Sequence, residues 1–225
     1  MYLAKTPSLV KPFFKDFVWN FPTKEKILYL TFDDGPTSGI TDWVLNKLKE
    51  FNAKATFFCI GTKVEQRPRL FQQILEEGHT IGNHTHNHLN GKKVSDEEYF
   101  ENINMCQETI KSLHINTSSN NQIKLFRPPY GKITKSQISN LKSQYSIIMW
   151  DVLSGDFDLK ISKEKCADNV LKNAKKGSIV VFHDYKKAKE KLFYALPKTL
   201  EHFSEKGFRF EAITQSRLAD VGNNR

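Results

Sequence analysis

Short runs of β-branched and aromatic residues recur along the chain, each followed by a stretch in which apolar residues return with helical period, the pattern of successive βα units. Seven such runs stand at 26–32, 53–61, 79–83, 123–126, 145–151, 178–183 and 208–213. Most are apolar throughout, as expected of parallel strands covered on both faces. Between the first two, Val44, Leu48 and Phe51 form one helical stripe, with Ser38 or Thr41 available as N-cap. Pro68 suits a first helical turn, Phe71, Ile74 and Leu75 give its buried face, and Gly78 supplies the left-handed stop. Further helices are predicted over 96–113, 134–141, 162–175 and 196–206. The polar stretch 116–122 reads as a surface loop, and its Asn116-Thr117-Ser118 has the form of a glycosylation sequon.

No linker or internal repeat interrupts the alternation, which predicts one α/β domain: a (β/α) barrel with about seven strands. The domain is expected over 26–215, between an N-terminal extension 1–25 and a C-terminal tail 216–225. A length of 225 residues matches the low end of such barrels, and 39% hydrophobic with 26% charged residues excludes collagen-like and disordered chains. Cys59, Cys106 and Cys166 are odd in number and form no C-x-x-C pair, so they read as buried thiols. No apolar stretch approaches the roughly 18 residues of a membrane span. The start of the chain carries Lys5 and Lys11 but neither the apolar core nor the cleavage site of a secretory signal. It therefore reads as cytoplasmic, with a cell-envelope location left open. A net charge of +9 favours anionic partners. The densest cluster, Lys186, Lys187, Lys189 and Lys191, has no stacking platform or zinc-finger spacing; it reads as a solvated basic face, and no nucleic-acid partner is expected.

Asp33, Asp34, His84, Arg127, Asp151, His183 and Asp184 all close or follow strand runs. In a parallel barrel those ends meet on one face, where active sites are built, so residues about 150 positions apart can share a pocket. Thr31-Phe32-Asp33-Asp34-Gly35-Pro36 sets two carboxylates side by side, which cannot both stay ionised cheaply without a metal or an arginine. His84 and His88, at i and i+4, would project from one side of a helical turn and grip one cation, with His86 pointing elsewhere. Two imidazoles and one carboxylate, with solvent in the remaining position, make a hydrolytic metal site for which zinc is the first choice. His79, His114 and His202 read as ordinary structural residues. Arg127, opening Arg127-Pro128-Pro129-Tyr130-Gly131, is available to the acid that does not bind metal. His183 is the natural proton donor, and either Asp156 or Asp151 could hold it charged.

Together these motifs resemble the polysaccharide deacetylase family, carbohydrate esterase family 4, over roughly 26–213. The most specific elements are Thr31 to Pro36, His84-Thr85-x-x-His88 and Arg127 to Gly131. The resemblance implies a distorted (β/α)7 barrel and a hydrolase that removes acetyl groups from N-acetylated sugars, such as N-acetylglucosamine polymers, with one divalent metal, zinc by preference. It implies that Asp34, His84 and His88 bind the metal and that Asp33 is the general base, oriented by Arg127. The Tyr130 N–H would hold the oxyanion, and His183 would be the general acid supported by Asp156. Pro129, Tyr130, Phe157 and Val181 would contact substrate. Phe157 stands where relatives often carry Trp, and Val181 where they often carry Leu, changes that bear on substrate preference. A metal-dependent amidohydrolase on a small non-sugar amide, or a non-catalytic glycan-binding barrel, are the rival readings.

Overall fold

Strands that are apolar on both faces must be covered on both faces, and the computed structural model, which describes residues 2–113 and 124–222, curls them into one parallel sheet wrapped by helices. The strands are Phe17–Val18 (β1), Ile27–Asp33 (β2), Thr56–Cys59 (β3), Thr80–Asn83 (β4), Leu125–Phe126 (β5), Ser146–Ile148 (β6), Val152–Leu153 (β7), Ile179–His183 (β8) and Arg209–Phe210 (β9). The helices are Thr41–Glu50 (α1), Gly61–Gln66 (α2), Pro68–Glu76 (α3), Asp96–Leu113 (α4), Lys135–Leu141 (α5), Lys163–Leu171 (α6), Lys189–Glu205 (α7) and Gln215–Gly222 (α8). Spatial order is β1-β6-β5-β4-β3-β2-β8-β7, every pair parallel, with β9 against β2. This is the distorted (β/α)7 barrel expected from the sequence.

Strand period carries the core up to the chemistry. On β2, Leu28, Leu30 and Phe32 pack outward with α1 and α7 residues such as Val44, Leu48 and Leu196, while Ile27 and Tyr29 join the inner cluster with Phe58, Leu125 and Ile148. Thr31 and Asp33 continue the inner row. Parallel register then sets Asp33 level with His183 on β8, and Asn83 level with Phe126. The residues that follow, His84 and Arg127, leave the sheet together.

Several elements differ from the sequence expectations. β1 and β7 are too short to show a period, and α2 begins at Gly61, inside a predicted strand. The N-cap of α1 is Ile40, without a side-chain cap; the Thr41 hydroxyl is used elsewhere. α7 starts at Lys189 and runs through Pro197, because Leu192, Ala195, Leu196, Leu200 and Phe203 form one continuous buried face that outweighs the lost hydrogen bond. Thr134 caps α5 in a capping box with Gln137, and Ser162 caps α6. Lys191 is buried, so the expected basic face is not uniformly solvated. All three cysteines are free and buried. His114 and the 116–122 loop with its sequon lie outside the described residues.

Residues 2–20 cover both free edges of the sheet: β1 pairs with β6, while the Leu153 and Thr6 amides bond Ala4 and Asp151 carbonyls beside β7. Lys5 and Lys11 donate to the buried Asp151 carboxylate at 2.5 and 2.6 Å, and the Ser178 hydroxyl donates at 2.5 Å. Burial opposes the Asp151 charge, but these donors outweigh it and hold the acid below its ordinary range. Asp151→Asn should cost about 2–3 kcal/mol, less than the loss of a fully buried pair because both lysines stay partly hydrated. The urea midpoint reads this; an unchanged midpoint would show that the lysines do not fasten the segment.

Candidate active site

Arg127 is fully buried, where a surface arginine before a polyproline turn would be exposed. It donates through Nη1 to Asp33 Oδ1 at 2.6 Å and Thr31 Oγ1 at 2.7 Å, through Nε to the Ile148 carbonyl at 3.0 Å, and through Nη2 to the Met149 carbonyl at 2.9 Å. Its guanidinium lies over the Phe58 ring, 4.1 Å from the centroid. So many fixed acceptors leave the cation one position, and Asp33 is aimed by it.

His84 and His88 do not share a helical turn, contrary to the spacing argument. They sit on an irregular loop in which Thr85 and His88 are left-handed, at φ 62° and 57°. Asn83 Oδ1 accepts the Thr85 N–H, and Asn102 Oδ1, from α4, accepts those of His86 and Asn87. The loop still brings both Nε2 atoms to Asp34 Oδ1, at 3.5 Å from His84 and 3.0 Å from His88. His86 turns away toward Glu65, as expected. His79 is buried, accepts the Ala55 N–H, and is pushed down to about 4 by burial. His202 is half-buried beside the Lys206 ammonium.

The three atoms fit a cation. His84 Nδ1–H donates to the Arg127 carbonyl at 2.7 Å, so in the neutral ring Nε2 is a bare acceptor facing a carboxylate oxygen. Asp34 Oδ1 is itself buried without a proper hydrogen-bond donor. Burial works against the Asp34 charge, and it is the protonated form of the two imidazoles that would hold it well below the usual carboxylate range; with the rings neutral, that positive charge has to come from a bound cation. One donor atom from each of Asp34, His84 and His88 lies within 4.8 Å of the others. Acceptors turned inward on one point need a positive charge among them.

Across the cleft, Asp156 is fully buried and grips His183 twice: Oδ1 accepts Nδ1–H and Oδ2 accepts the main-chain N–H, both at 2.7 Å. Burial opposes the charged imidazolium, but the Asp156 carboxylate prevails and lifts His183 to about 9. Of the two acids open from sequence, Asp156 holds His183, and Asp151 is committed to Lys5 and Lys11.

Tyr130 is left-handed, at φ 59°, and its N–H meets no acceptor among the described residues. The residue is 62% exposed, and its ring centroid lies 4.6 Å from that of His88. Gly131 follows because a Cβ there would strike the Trp150 ring. Asp33, Asp34, His84, His88, Tyr130 and His183 line one cleft of about 800 Å³, with Phe157 and Val181 in its wall. Pro129 is buried and does not line the cleft; Pro128 does.

Neither the place of Tyr2 nor the link between Asp184 and Thr41 is marked in the sequence. Tyr2 lies on the cleft wall, its ring 5.0 Å from that of Phe157. Asp184 lies under the Asp33-Asp34 turn, fully buried, taking a hydrogen bond from the Thr41 hydroxyl, which in turn accepts the Thr37 N–H at 2.7 Å. Gly35 rests on that carboxylate where a Cβ would collide, and burial pushes Asp184 up to about 7. Its place beside His183 was visible, but the link to Thr41 spans the fold.

Residues 20–145 match the family model described as polysaccharide deacetylase. The chain is 36% identical over 203 residues to a peptidoglycan-N-acetylglucosamine deacetylase of Bacillus cereus, covering 88% of this chain and 91% of that protein. It is 30% identical to the peptidoglycan-N-acetylmuramic acid deacetylase PdaC of Bacillus subtilis, covering 89% of this chain and 40% of that one. A solved peptidoglycan N-acetylglucosamine deacetylase, in complex with 4-naphthalen-1-yl-N-oxidanyl-benzamide, matches with a TM-score of 0.82 at 33% identity, over 92% of this chain and 95% of its own.

Proposed function

Because the chain belongs to the polysaccharide deacetylase family and is a metal-dependent hydrolase removing acetyl groups from N-acetylated sugars, we propose that it deacetylates N-acetylglucosamine in peptidoglycan strands, with Asp33 as base and His183 as acid. The observation that carries this reading is that one cleft is lined by Asp33, His183 and the inward-turned acceptors of Asp34, His84 and His88. Zinc suits two imidazoles and one carboxylate, with a position left open for solvent. Bound by Asp34, His84 and His88, such an ion would acidify water and polarise the acetamide carbonyl.

The remaining work falls to the chain's own groups. Asp33, kept in place by the buried Arg127, accepts a proton from the attacking water. As the carbonyl becomes tetrahedral, the unpaired Tyr130 N–H donates to its oxygen. His183, tethered through Nδ1, offers its Nε2 proton to the departing nitrogen, since an amide leaves poorly unless protonated. The C–N bond breaks, giving acetate and a free amine. Arg127 and Asp156 act through Asp33 and His183 as positioning residues.

A cleft of about 800 Å³ with exposed Tyr130 at its rim favours a glycan over a small amide. Among the described residues no helix is long and apolar enough to cross a membrane; a peptidoglycan substrate would put the reaction at the cell envelope. Zinc-replete protein should release acetate from N-acetylglucosamine oligomers and from peptidoglycan. Turnover confined to small cyclic amides would replace this reading.

A further inference from the structure

His183 is tethered at Nδ1, but its proton leaves from Nε2, and the aim of that atom depends on what packs against the ring. Two aromatic rings flank the imidazole, Phe157 at 5.2 Å and Tyr185 at 6.1 Å between centroids, each at 70° to it. Tyr185 stands two residues beyond His183, whereas Phe157 lies on the turn that also carries Asp156, closed by the Asp158 N–H donating to the Gly155 carbonyl at 2.9 Å. The start of the chain reaches this turn. Lys5 bridges antiparallel to Val152; the Leu153 N–H donates to the Ala4 carbonyl at 2.8 Å, and the Lys5 ammonium is fastened to the buried Asp151. So anchored, the segment sets Tyr2 on the turn. The Tyr2 ring lies 5.0 Å from that of Phe157, at 53°, and its hydroxyl stands so close to the left-handed Gly155 that a Cβ there would come within 2.6 Å of it. The Asp158 carboxylate is held below its ordinary range first by the Lys160 N–H and then by the Tyr2 hydroxyl. Tyr2, Phe157 and His183 thus form a row of rings along the cleft wall.

Resting on the deacetylase reading, we propose that Tyr2 is a positioning residue for the general acid: the N-terminal segment lays its ring on Phe157, and Phe157 in turn holds the His183 imidazole so that Nε2 faces the departing nitrogen. Asp156 sets the charge of His183, and the row of rings sets its direction. A proton donor must stay within a fraction of an ångström and some tens of degrees of its working geometry, and neighbours that lock its rotamer supply that precision. The 155–158 turn has no regular secondary structure of its own, so a ring packed on it from outside is what keeps Phe157 in place. Residues that precede the barrel strands in the sequence therefore help to build the catalytic face.

The test uses the zinc-loaded full chain and two acetyl donors: an N-acetylglucosamine oligomer, whose amine must be protonated to leave, and an aryl acetate, whose phenolate leaves without a proton. Both need Asp33 as base, and only the oligomer needs His183 as acid. In Tyr2→Ala the ratio of oligomer to aryl-acetate kcat/KM should fall about two- to tenfold, the usual worth of one aromatic pair, with the oligomer's loss in kcat and not in KM. Tyr2→Phe, which keeps the ring, should hold the wild-type ratio. In a Phe157→Ala background the further change Tyr2→Ala should move the ratio little, because the row is already broken. A ratio unmoved by Tyr2→Ala, whether the two rates hold or fall together, overturns the proposal, and so does an equal fall in the Phe157→Ala background; the deacetylase reading survives either result. Wild-type protein that releases no acetate from the oligomer would overturn that reading first.

Discussion

Asp33→Asn should lower acetate release by about 10²- to 10⁴-fold, the worth of a positioned base, while the protein still binds its metal. Asparagine keeps an oxygen in line with Arg127 but cannot take a proton from water. The substitution also leaves the buried guanidinium without its counter-charge, which costs about 3–5 kcal/mol when one partner of a buried pair is lost. A fall in melting temperature is therefore part of the same result, and the rate must be measured well below the new midpoint. Metal content measured on the same sample separates the two acids. Activity near the wild-type level would remove Asp33 from the role of base; loss of metal together with activity would mean that the two neighbouring acids do not divide the work.

Asp156→Asn should act through pH. His183 must carry its proton to serve as acid, and its titration near 9 means that kcat/KM should hold as pH rises and then fall above about 9. The sign follows from the charged form being the active one: raising the pH through this value empties the donor. Replacing Asp156 removes the carboxylate that overcomes burial, and an opposite charge at this range is worth about 1–3 pH units. The alkaline limb should move down by that amount, and activity above it should drop about tenfold per pH unit, as expected for loss of one essential proton. Asp151→Asn should leave the limb in place, since Asp151 bonds Lys5, Lys11 and Ser178 and not His183. A limb unmoved by Asp156→Asn would show that His183 is not the acid, or that Asp156 does not tune it.

The parts of this site that could be read from the sequence are those written in local spacing. Asp33 and Asp34 close an apolar strand, Arg127 follows another, and His183 ends a third, so the barrel rule alone brings them together on one face. The His84–His88 pair was found for a reason that does not hold. The spacing suggested a helical turn, but an irregular loop with left-handed residues does the same work, held by Asn83 and by Asn102 from a distant helix. Nothing in the local sequence marks Asn102, because its role is to accept main-chain N–H groups 15 and 16 positions away. The same limit hid Tyr2 from the cleft wall and Thr41 from Asp184. Strands of two residues such as Phe17–Val18 and Val152–Leu153 carry no period at all; they exist because a neighbouring strand edge is available to pair with. α7 shows the opposite case, where a local signal, Pro197, was outweighed by a buried face built from the whole helix.

The strain in the backbone points the same way as the chemistry. Asp34, His88 and Tyr130, at φ 75°, 57° and 59°, are all left-handed non-glycine residues, and all three belong to the cleft. Each such residue costs on the order of 1 kcal/mol or more and persists where surrounding structure over-determines it. Here the surroundings include the Asn83 and Asn102 acceptors on the histidine loop and the Asp184–Thr41 contact beneath the aspartate turn.

The account rests on one cation shared by Asp34, His84 and His88. A crystal of the protein grown with zinc, with diffraction recorded on both sides of the zinc absorption edge, tests it directly. The prediction is a single anomalous peak bounded by the Nε2 atoms of His84 and His88 and a carboxylate oxygen of Asp34. No peak there at saturating zinc, with the three side chains satisfied by protein partners, would contradict it.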